Sequence, residues 1–195
     1  MNKQPSRKEQ THERIVGVAA RAIRRAGYHG VGVADIMKEA GLTHGGFYAH
    51  FESRDALLIE AMQRAGQDGA VALAEHVAAR EAAGESRFRA LVEAYLADDQ
   101  LDDVEGGCIV AALCSEMPRL QGEVREAARR RVLAFVNGVR GALPEGADAS
   151  LAETIAATMV GTVQMARTLG DQSGRAVLAR TRRALLDEYE PGRSG

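Results

Sequence analysis

The sequence predicts an all-α fold for this chain of 195 residues. Aromatic residues make up only 4% of the chain and Trp is absent, whereas β-sheet proteins favour aromatic and β-branched residues. Apolar residues recur at intervals of three and four, the spacing of one helix face, and Gly, Pro and Asp separate the periodic segments. Because 46% of the residues are hydrophobic and 27% are charged, we expect a globular chain with one or two cores.

Three helices are predicted at the N-terminal end. The first is capped by Thr11, carries an apolar stripe from Ile15 to Ile23 and ends at Gly27. The second covers residues 33–40 and the third covers residues 44–51. The turn Gly41-Leu42-Thr43 between them has the length and the glycine of a helix-turn-helix.

A much longer helix is predicted from Ser53 to Ala83, with Gly84 as its terminator. At 1.5 Å per residue it is about 45 Å long, enough to connect two domains, although Gly66 and Gly69 weaken or bend it. The domain border therefore lies on this helix. Five more helices are predicted at residues 86–98, 107–116, 118–142, 148–170 and 174–189.

The charge is unevenly distributed along the chain. The net charge is only -2, yet residues 1–55 carry nine Lys or Arg and six Asp or Glu, a balance of +3 that leaves -5 for the remainder. This excludes a polybasic coat for nucleic acid and favours the N-terminal quarter as the part that binds a polyanion.

The third helix has an unusual start. Thr43 is predicted to cap it, and Gly45 and Gly46 follow in its first turn. Each glycine costs about 1 kcal/mol of helix stability relative to Ala. That cost is understandable if the backbone must come close to DNA at the positive end of the helix, where phosphate binds. The alternative is a turn that collected glycines by chance.

These residues resemble the N-terminal pattern of the TetR family of transcriptional regulators over about fifty residues. The resemblance is carried by Arg14-Ile15, Ala19-Ala20, Gly27-Tyr28, Val33-Ala34-Asp35-Ile36 and the continuous run from Glu39 to Leu58. It implies a homodimer that binds double-stranded operator DNA and is released by a small-molecule effector held in a C-terminal helical domain. The predicted division is a DNA-binding domain at 1–52, a ligand-binding and dimerisation domain at 53–190, and a tail at 191–195.

Carried over by position, the resemblance predicts a set of DNA-binding residues. His44 replaces the Lys of many relatives, so a weaker salt dependence of DNA binding is expected. Tyr48 is expected to point outward, with its phenol on a phosphate; the alternative is that its ring belongs to the core. Phe47 and Phe51 already fill the core face, which favours the outward position. The family's usual capping residue before the second helix is absent, and Lys3, Arg7 and Lys8 on an N-terminal arm are expected to compensate unless that arm is a solvated tail. The predicted set is Thr43, His44, Gly45, Gly46, Tyr48, His50, Arg54, Arg7 and Lys8.

The C-terminal half is expected to hold an apolar ligand pocket and the dimer interface. The pocket candidates, for which plain core is the alternative, are Phe88, Tyr95, Met117, Phe135 and Met159. The dimer interface is predicted as a four-helix bundle built from two apolar stripes. Those stripes are Leu151, Ile155, Met159 and Val163 on one helix and Val177, Thr181, Leu185 and Tyr189 on the next.

Cys108 is the most suggestive residue of this half. It is predicted at a helix N-terminus, where free amides favour the thiolate, and the Gly-Cys pair is similar to that of electrophile-sensing regulators of the same family. Cys108 is therefore a candidate redox or electrophile sensor, with a small buried apolar residue as the alternative. Cys114 lies about 240° further around the helix, so no disulfide is expected, and no cluster of ligands predicts a metal.

The sequence thus predicts a DNA-binding transcriptional regulator and not an enzyme, with no cofactor. Two alternatives stay open: a thiol-based redox enzyme that uses Cys108, and a helical assembly module. The N-terminus lacks a signal peptide, and residues 151–170 are interrupted by polar side chains, so no membrane association and a cytoplasmic location are expected.

Overall fold

The computed structural model describes residues 4–190 and confirms the all-α prediction. The predicted tail at 191–195 and Lys3 of the expected N-terminal arm lie outside the described residues. The α-helices are α1 (Arg7–Ala26), α2 (Val33–Glu39), α3 (Arg54–Ala82), α4 (Arg87–Tyr95), α5 (Ile109–Leu113), α6 (Gly122–Arg140), α7 (Leu151–Leu169) and α8 (Asp171–Tyr189). Three 3₁₀ helices add to them, at His44–Ala49, Asp98–Leu101 and Met117–Arg119. We call His44–Ala49 the recognition helix.

The start of α1 differs from the prediction. Ser6 is the N-cap, and it forms a capping box with Glu9: the Glu9 amide donates to the Ser6 hydroxyl, and the Ser6 amide donates to the Glu9 carboxylate. Thr11 lies inside the helix, where its hydroxyl donates to the carbonyl of Arg7 at 2.9 Å. Arg7 and Lys8 therefore belong to the first turn of a helix and not to an extended arm.

The long helix α3 begins where the sequence predicts. The Ser53 hydroxyl accepts a hydrogen bond from the Ala56 amide at 3.0 Å, and the helix runs for 29 residues, about 44 Å. It is the element that both halves of the chain share, because α1 packs along its first part and α4 and α6 pack along the rest.

Two clusters of buried side chains form the core. The first joins α1, α2, the recognition helix and the start of α3 to α5 and the start of α6. The second joins α4, the end of α6, α7 and α8. Cys108, Phe135 and Val160 are half-buried and pack against both clusters. The N-terminal helices therefore share a core with α5, across the predicted domain border.

The stripes predicted as a dimer surface face the protomer's own core, so this prediction is wrong for their buried members. The side chains of Ile155, Met159 and Val163 are at most 1% exposed and Leu185 is 7% exposed. The sequence could not reveal this, because α7 and α8 pack directly on each other and an apolar stripe does not say which neighbour covers it. The remaining members are half-buried: Leu151, Val177, Thr181 and Tyr189.

Within residues 4–190, no helix is both long enough and apolar enough to cross a bilayer.

Candidate DNA interface and interior cavity

The recognition helix follows a tight turn that Gly41 makes possible. Gly41 has φ +71°, a left-handed conformation that favours glycine. The amide of Leu42 donates a hydrogen bond to the carbonyl of Met37 at 2.8 Å. Phe47 then anchors the helix: it is 2% exposed and stacks on Phe51 with ring centroids 5.6 Å apart. Burial of such a side chain contributes about 1.5–3 kcal/mol, enough to fix this short element in one orientation.

That orientation turns a continuous polar face toward solvent. Thr43, His44 and Gly45 are exposed, and Tyr48 is 73% exposed next to the buried Phe47. The outward direction predicted for Tyr48 is therefore observed. Thr43 occupies the N-cap position as predicted, but its hydroxyl makes no capping hydrogen bond, because the element is a 3₁₀ helix whose first bond runs from the Gly46 amide to the Thr43 carbonyl.

The two glycines of the recognition helix are not required by the packing of the protomer. A Cβ at Gly45 would meet no atom within 4 Å, and a Cβ at Gly46 would meet only the Met37 methyl at 3.7 Å. Neither residue has a positive φ. The open backbone here is therefore available to an external surface.

His50 and Lys8 lie at the other end of this face. The His50 ring is half-buried, its Nδ1 has no hydrogen-bond partner in the described residues, and burial lowers its pKa, with His12 and Lys8 as nearby positive groups. Arg7 and Lys8 are both exposed on the first turn of α1. The first turn of α1 therefore extends the surface of the recognition helix.

Arg54 is engaged inside the protein. Its Nε donates to the Val31 carbonyl at 3.3 Å, one Nη donates to the Tyr28 carbonyl, and the guanidinium lies 4.8 Å from the centre of the Tyr28 ring. The Tyr28 hydroxyl in turn donates to Asp55 at 2.7 Å, and burial together with this bond raises its pKa to about 12. Arg54 thus holds the connection between α1 and α2, and a contact with DNA stays a prediction.

Two carboxylates from the C-terminal half bind the same N-terminal helices. The Glu116 carboxylate accepts the amide of Tyr28 at 3.1 Å and the amide of His29 at 3.2 Å. Gly27 makes room for it: its φ is +77°, and a Cβ there would collide with the Glu116 carboxylate. The Glu105 carboxylate pairs with Arg25 on α1 at 2.6 Å.

A partly open cavity of about 310 Å³ lies behind these contacts, between α3, α4, α6 and the segment 99–110. Of the predicted pocket residues, Tyr95 and Phe135 line it, with ring centroids 4.9 Å apart. The other three pocket predictions are wrong for this cavity, because their side chains are packed into the core: Phe88, Met117 and Met159.

Cys108 also lines this cavity, at the N-cap of the short helix α5. Both cysteines are free and half-buried. The Tyr95 hydroxyl is a neighbour of the Cys108 thiol; burial raises the pKa of this hydroxyl well above its ordinary value, with Cys108 as the next contributor. Arg167 lies nearby, and burial lowers the pKa of its guanidinium. Within residues 4–190, no group of three His, Cys, Asp or Glu side chains is arranged to hold a metal ion.

Sequence reasoning missed Glu105, Glu116 and Arg131, which connect or line these features. Glu105 and Glu116 act across about 80 residues or more of sequence, and isolated carboxylates in a chain with 27 acidic residues give no signal. The sequence signal nearest to Arg131 was Gly66, which was interpreted only as a residue that weakens or bends α3, whereas it leaves space for the Arg131 side chain.

The sequence of this chain matches two family models and a curated relative. The family model of bacterial regulatory proteins of the tetR family matches residues 15–61, and the model of the tetracyclin repressor-like C-terminal domain matches residues 84–185. An uncharacterized HTH-type transcriptional regulator of Mycobacterium tuberculosis is 30% identical, over 93% of this chain and 97% of its own length.

Solved structures share the fold at low identity. A TetR family regulator from Agrobacterium tumefaciens superposes with a TM-score of 0.75 at 22% identity, covering 93% of this chain and 98% of that one. AibR, in complex with isovaleryl coenzyme A and operator DNA, has a TM-score of 0.62 at 20% identity, covering 93% and 98%. The two family models and the relative of matching length show that this chain belongs to the TetR family of helix-turn-helix transcriptional regulators.

Proposed function

We propose that this protein is a repressor that binds a pseudo-palindromic operator as a homodimer and leaves it when a small molecule occupies the interior cavity. The observation that carries the proposal is the position of the cavity wall: the segment 99–110 and helix α5 line the cavity, and the carboxylates of Glu105 and Glu116 extend from this stretch to α1 and the α1–α2 connection. AibR binds both operator DNA and an acyl coenzyme A in the same fold, which agrees with this arrangement.

Residues 1–52 form the DNA-binding unit in this proposal. The exposed start of the recognition helix enters the major groove, with His44 at a base edge or a phosphate and the Tyr48 phenol on a phosphate. The bare backbone of Gly45 allows the closest approach. Arg7 and Lys8 add phosphate contacts from the first turn of α1.

Residues 53–190 form the effector-binding and dimerisation unit. The dimer surface on α7 is then its exposed face and not the buried stripe that the sequence predicts. This face consists of residues at steps of four: Ala157, Gly161, Met165 and Leu169. All four are exposed, Met165 at 60% and Leu169 at 53%. No atom lies within 4 Å of a Cβ at Gly161, so a partner helix can approach closely. Pairing through this face holds two recognition helices about 34–36 Å apart, the repeat of the major groove.

The effector acts by favouring one spacing of the two recognition helices. A ligand that moves the 99–110 segment pulls on Arg25 through Glu105, and a shift of α5 pulls on the Tyr28 and His29 amides through Glu116. Glu105 thus contacts α1 and Glu116 contacts the α1–α2 connection, and these elements position the recognition helix. Release follows if the liganded spacing does not match successive major grooves.

Cys108 gives the cavity a reactive group, and we propose that thiol-reactive compounds also act as signals through it. The support is its place on the cavity wall next to the Tyr95 hydroxyl. Alkylation of Cys108 is expected to weaken operator binding, and unchanged affinity of the modified protein would reject the sensor role. We assign no catalytic reaction to the thiol, and an operator-binding protein works in the cytoplasm, where the chromosome lies.

Binding to duplex DNA tests the proposal. The target is the region upstream of the protein's own gene, searched for an inverted repeat. Replacing Tyr48 and His44 together with Ala is expected to weaken binding at least a hundredfold, while Tyr48→Phe, which removes one phosphate contact, loses less. The control replaces two exposed residues that lie outside both this face and the cavity, Gln67 and Leu133, with Ala. A double variant that shifts the fragment as well as the parent does refutes the assignment.

A further inference from the structure

The polar groups inside the cavity indicate the chemistry of its ligand. Among residues 4–190, five side chains have a fully buried nitrogen or oxygen without a hydrogen-bond partner, and two of these, Tyr95 and Arg131, line this cavity. An unpaired buried polar atom costs about 1–3 kcal/mol, so its presence at a cavity wall indicates a partner that arrives with a ligand.

Arg131 is the more informative of the two. Its guanidinium carries a permanent positive charge, its Nε is buried, and none of the ion pairs among the described residues involves it. The backbone of α3 is adapted to it, since a Cβ at Gly66 would lie 2.7 Å from the Arg131 Cδ and 2.9 Å from one Nη. The glycine therefore leaves the space that this cation occupies on the cavity wall.

The Tyr95 hydroxyl supplies a second donor. Burial keeps this hydroxyl protonated, because it raises the pKa well above the ordinary value. Arg131 and Phe135 are four residues apart on α6 and so lie on one face, and the Tyr95 ring packs on Phe135. The Tyr95 ring thus packs on the face of α6 that carries Arg131, while its hydroxyl lies next to Cys108.

The acidic residues of the cavity do not neutralise Arg131. Asp103 accepts a hydrogen bond from the Gly106 amide at 2.7 Å, and Asp99 is exposed in the 3₁₀ helix Asp98–Leu101. Two other basic groups, Arg87 and His76, are exposed at the rim. Apart from Gln100 and Cys108, the rest of the wall is mainly apolar, with Leu73, Val77, Leu91 and Val139 among its members.

We propose that the effector is a small organic acid whose carboxylate pairs with the Arg131 guanidinium and whose hydrocarbon body fills the apolar part of the cavity. Guanidinium and carboxylate match in planar, two-bond geometry, and such a charge-assisted pair is stronger than a hydrogen bond between neutral groups. A volume of about 310 Å³ lies at the lower end of the range for small-molecule sites, about 300–1,000 Å³, so the acid is compact. This inference deepens the proposed function and rests on the cavity being its effector site.

The test uses three probes that differ only in their head group: octanoate, octan-1-ol and octan-1-amine. Isothermal titration of the full chain is expected to give octanoate a dissociation constant at least tenfold below those of the alcohol and the amine. Arg131→Met should remove this preference and leave the alcohol unchanged. Arg131→Lys should keep part of it, and Tyr95→Phe should weaken octanoate less than Arg131→Met does. The control is Arg130→Met, at an exposed neighbouring position.

Several outcomes overturn the proposal: equal binding of octanoate and octanol by the parent, an octanoate preference that survives Arg131→Met, or no saturable binding by any straight-chain acid from butanoate to decanoate. Circular dichroism of each variant excludes unfolding as the cause of a loss. Operator release is measured separately. Octanoate that binds through Arg131 without releasing DNA supports the acid site and refutes the release mechanism. If only an uncharged ligand releases DNA, the release mechanism is supported and the acid site is refuted.

Discussion

Removing the Glu116 carboxylate is the sharpest test of the connection between the two halves. In Glu116→Ala the amides of Tyr28 and His29 lose the acceptor that they contact at 3.1 and 3.2 Å. A hydrogen bond to a charged group contributes about 1.5–3 kcal/mol, and partial exposure of this pair reduces the sum toward the value of one such bond. We therefore expect the α1–α2 connection to lose about 2 kcal/mol of local stability.

Amide hydrogen exchange measures this loss directly. A change of about 2 kcal/mol corresponds to exchange about thirtyfold faster at the Tyr28 and His29 amides, if local opening governs exchange. The amide of Ile23, within α1, should change much less. Glu188→Ala removes an exposed carboxylate from α8 and serves as the matched control. Unchanged exchange at both amides in Glu116→Ala would show that the Glu116 carboxylate does not stabilise the α1–α2 connection. It would also refute the proposal that Glu116 links the cavity to the recognition helix.

Three further substitutions test other parts of the reasoning. Gly45→Ala should leave the midpoint of thermal unfolding equal or higher, since Ala is the better helix former by up to about 1 kcal/mol. The same substitution should weaken operator binding at least tenfold in a mobility-shift assay, because the added Cβ lies on the open face of the recognition helix. Met165→Lys should give monomers in analytical ultracentrifugation, whereas Val71→Lys, at another exposed apolar position, should leave dimers intact. Gly27→Ala should destabilise the protein by about 1–2 kcal/mol in urea unfolding because of its positive φ and the Glu116 carboxylate; a neutral result would contradict both causes.

The N-terminal unit could be predicted because its signals are local. A glycine with positive φ at residue 41, small and apolar residues at fixed spacing, and Phe47 four residues before Phe51 specify the turn and the inward face without any distant partner. The same locality explains why Ser53 was recognised as the cap of α3. The start of α1 was placed at Thr11 and not at Ser6 because the capping box that Ser6 forms with Glu9 was missed, although it too is a local signal.

The C-terminal unit was predicted less well, because its features depend on which elements meet. An apolar stripe on α7 is equally suited to a partner subunit and to α8 of the same chain, and the structure uses it for the latter. Met117 is as apolar as any pocket residue, but it follows α5 into the N-terminal core. Periodicity fixes the face of a helix that is buried, and it carries no information on what covers that face.

The two glycines of α3 connect these observations. In a 29-residue helix each costs about 1 kcal/mol, which a merely connecting helix has no reason to bear. Gly66 leaves space for the Arg131 side chain, whereas a Cβ at Gly69 would make only ordinary contacts, at 3.9 and 3.7 Å, with the carbonyls of Gly106 and Gly107. The packing around α3 therefore favours glycine at residue 66 and does not require it at residue 69. In the proposed mechanism α3 is the element that the cavity and the N-terminal helices share, and Arg54 at its start holds the α1–α2 connection through the Val31 carbonyl.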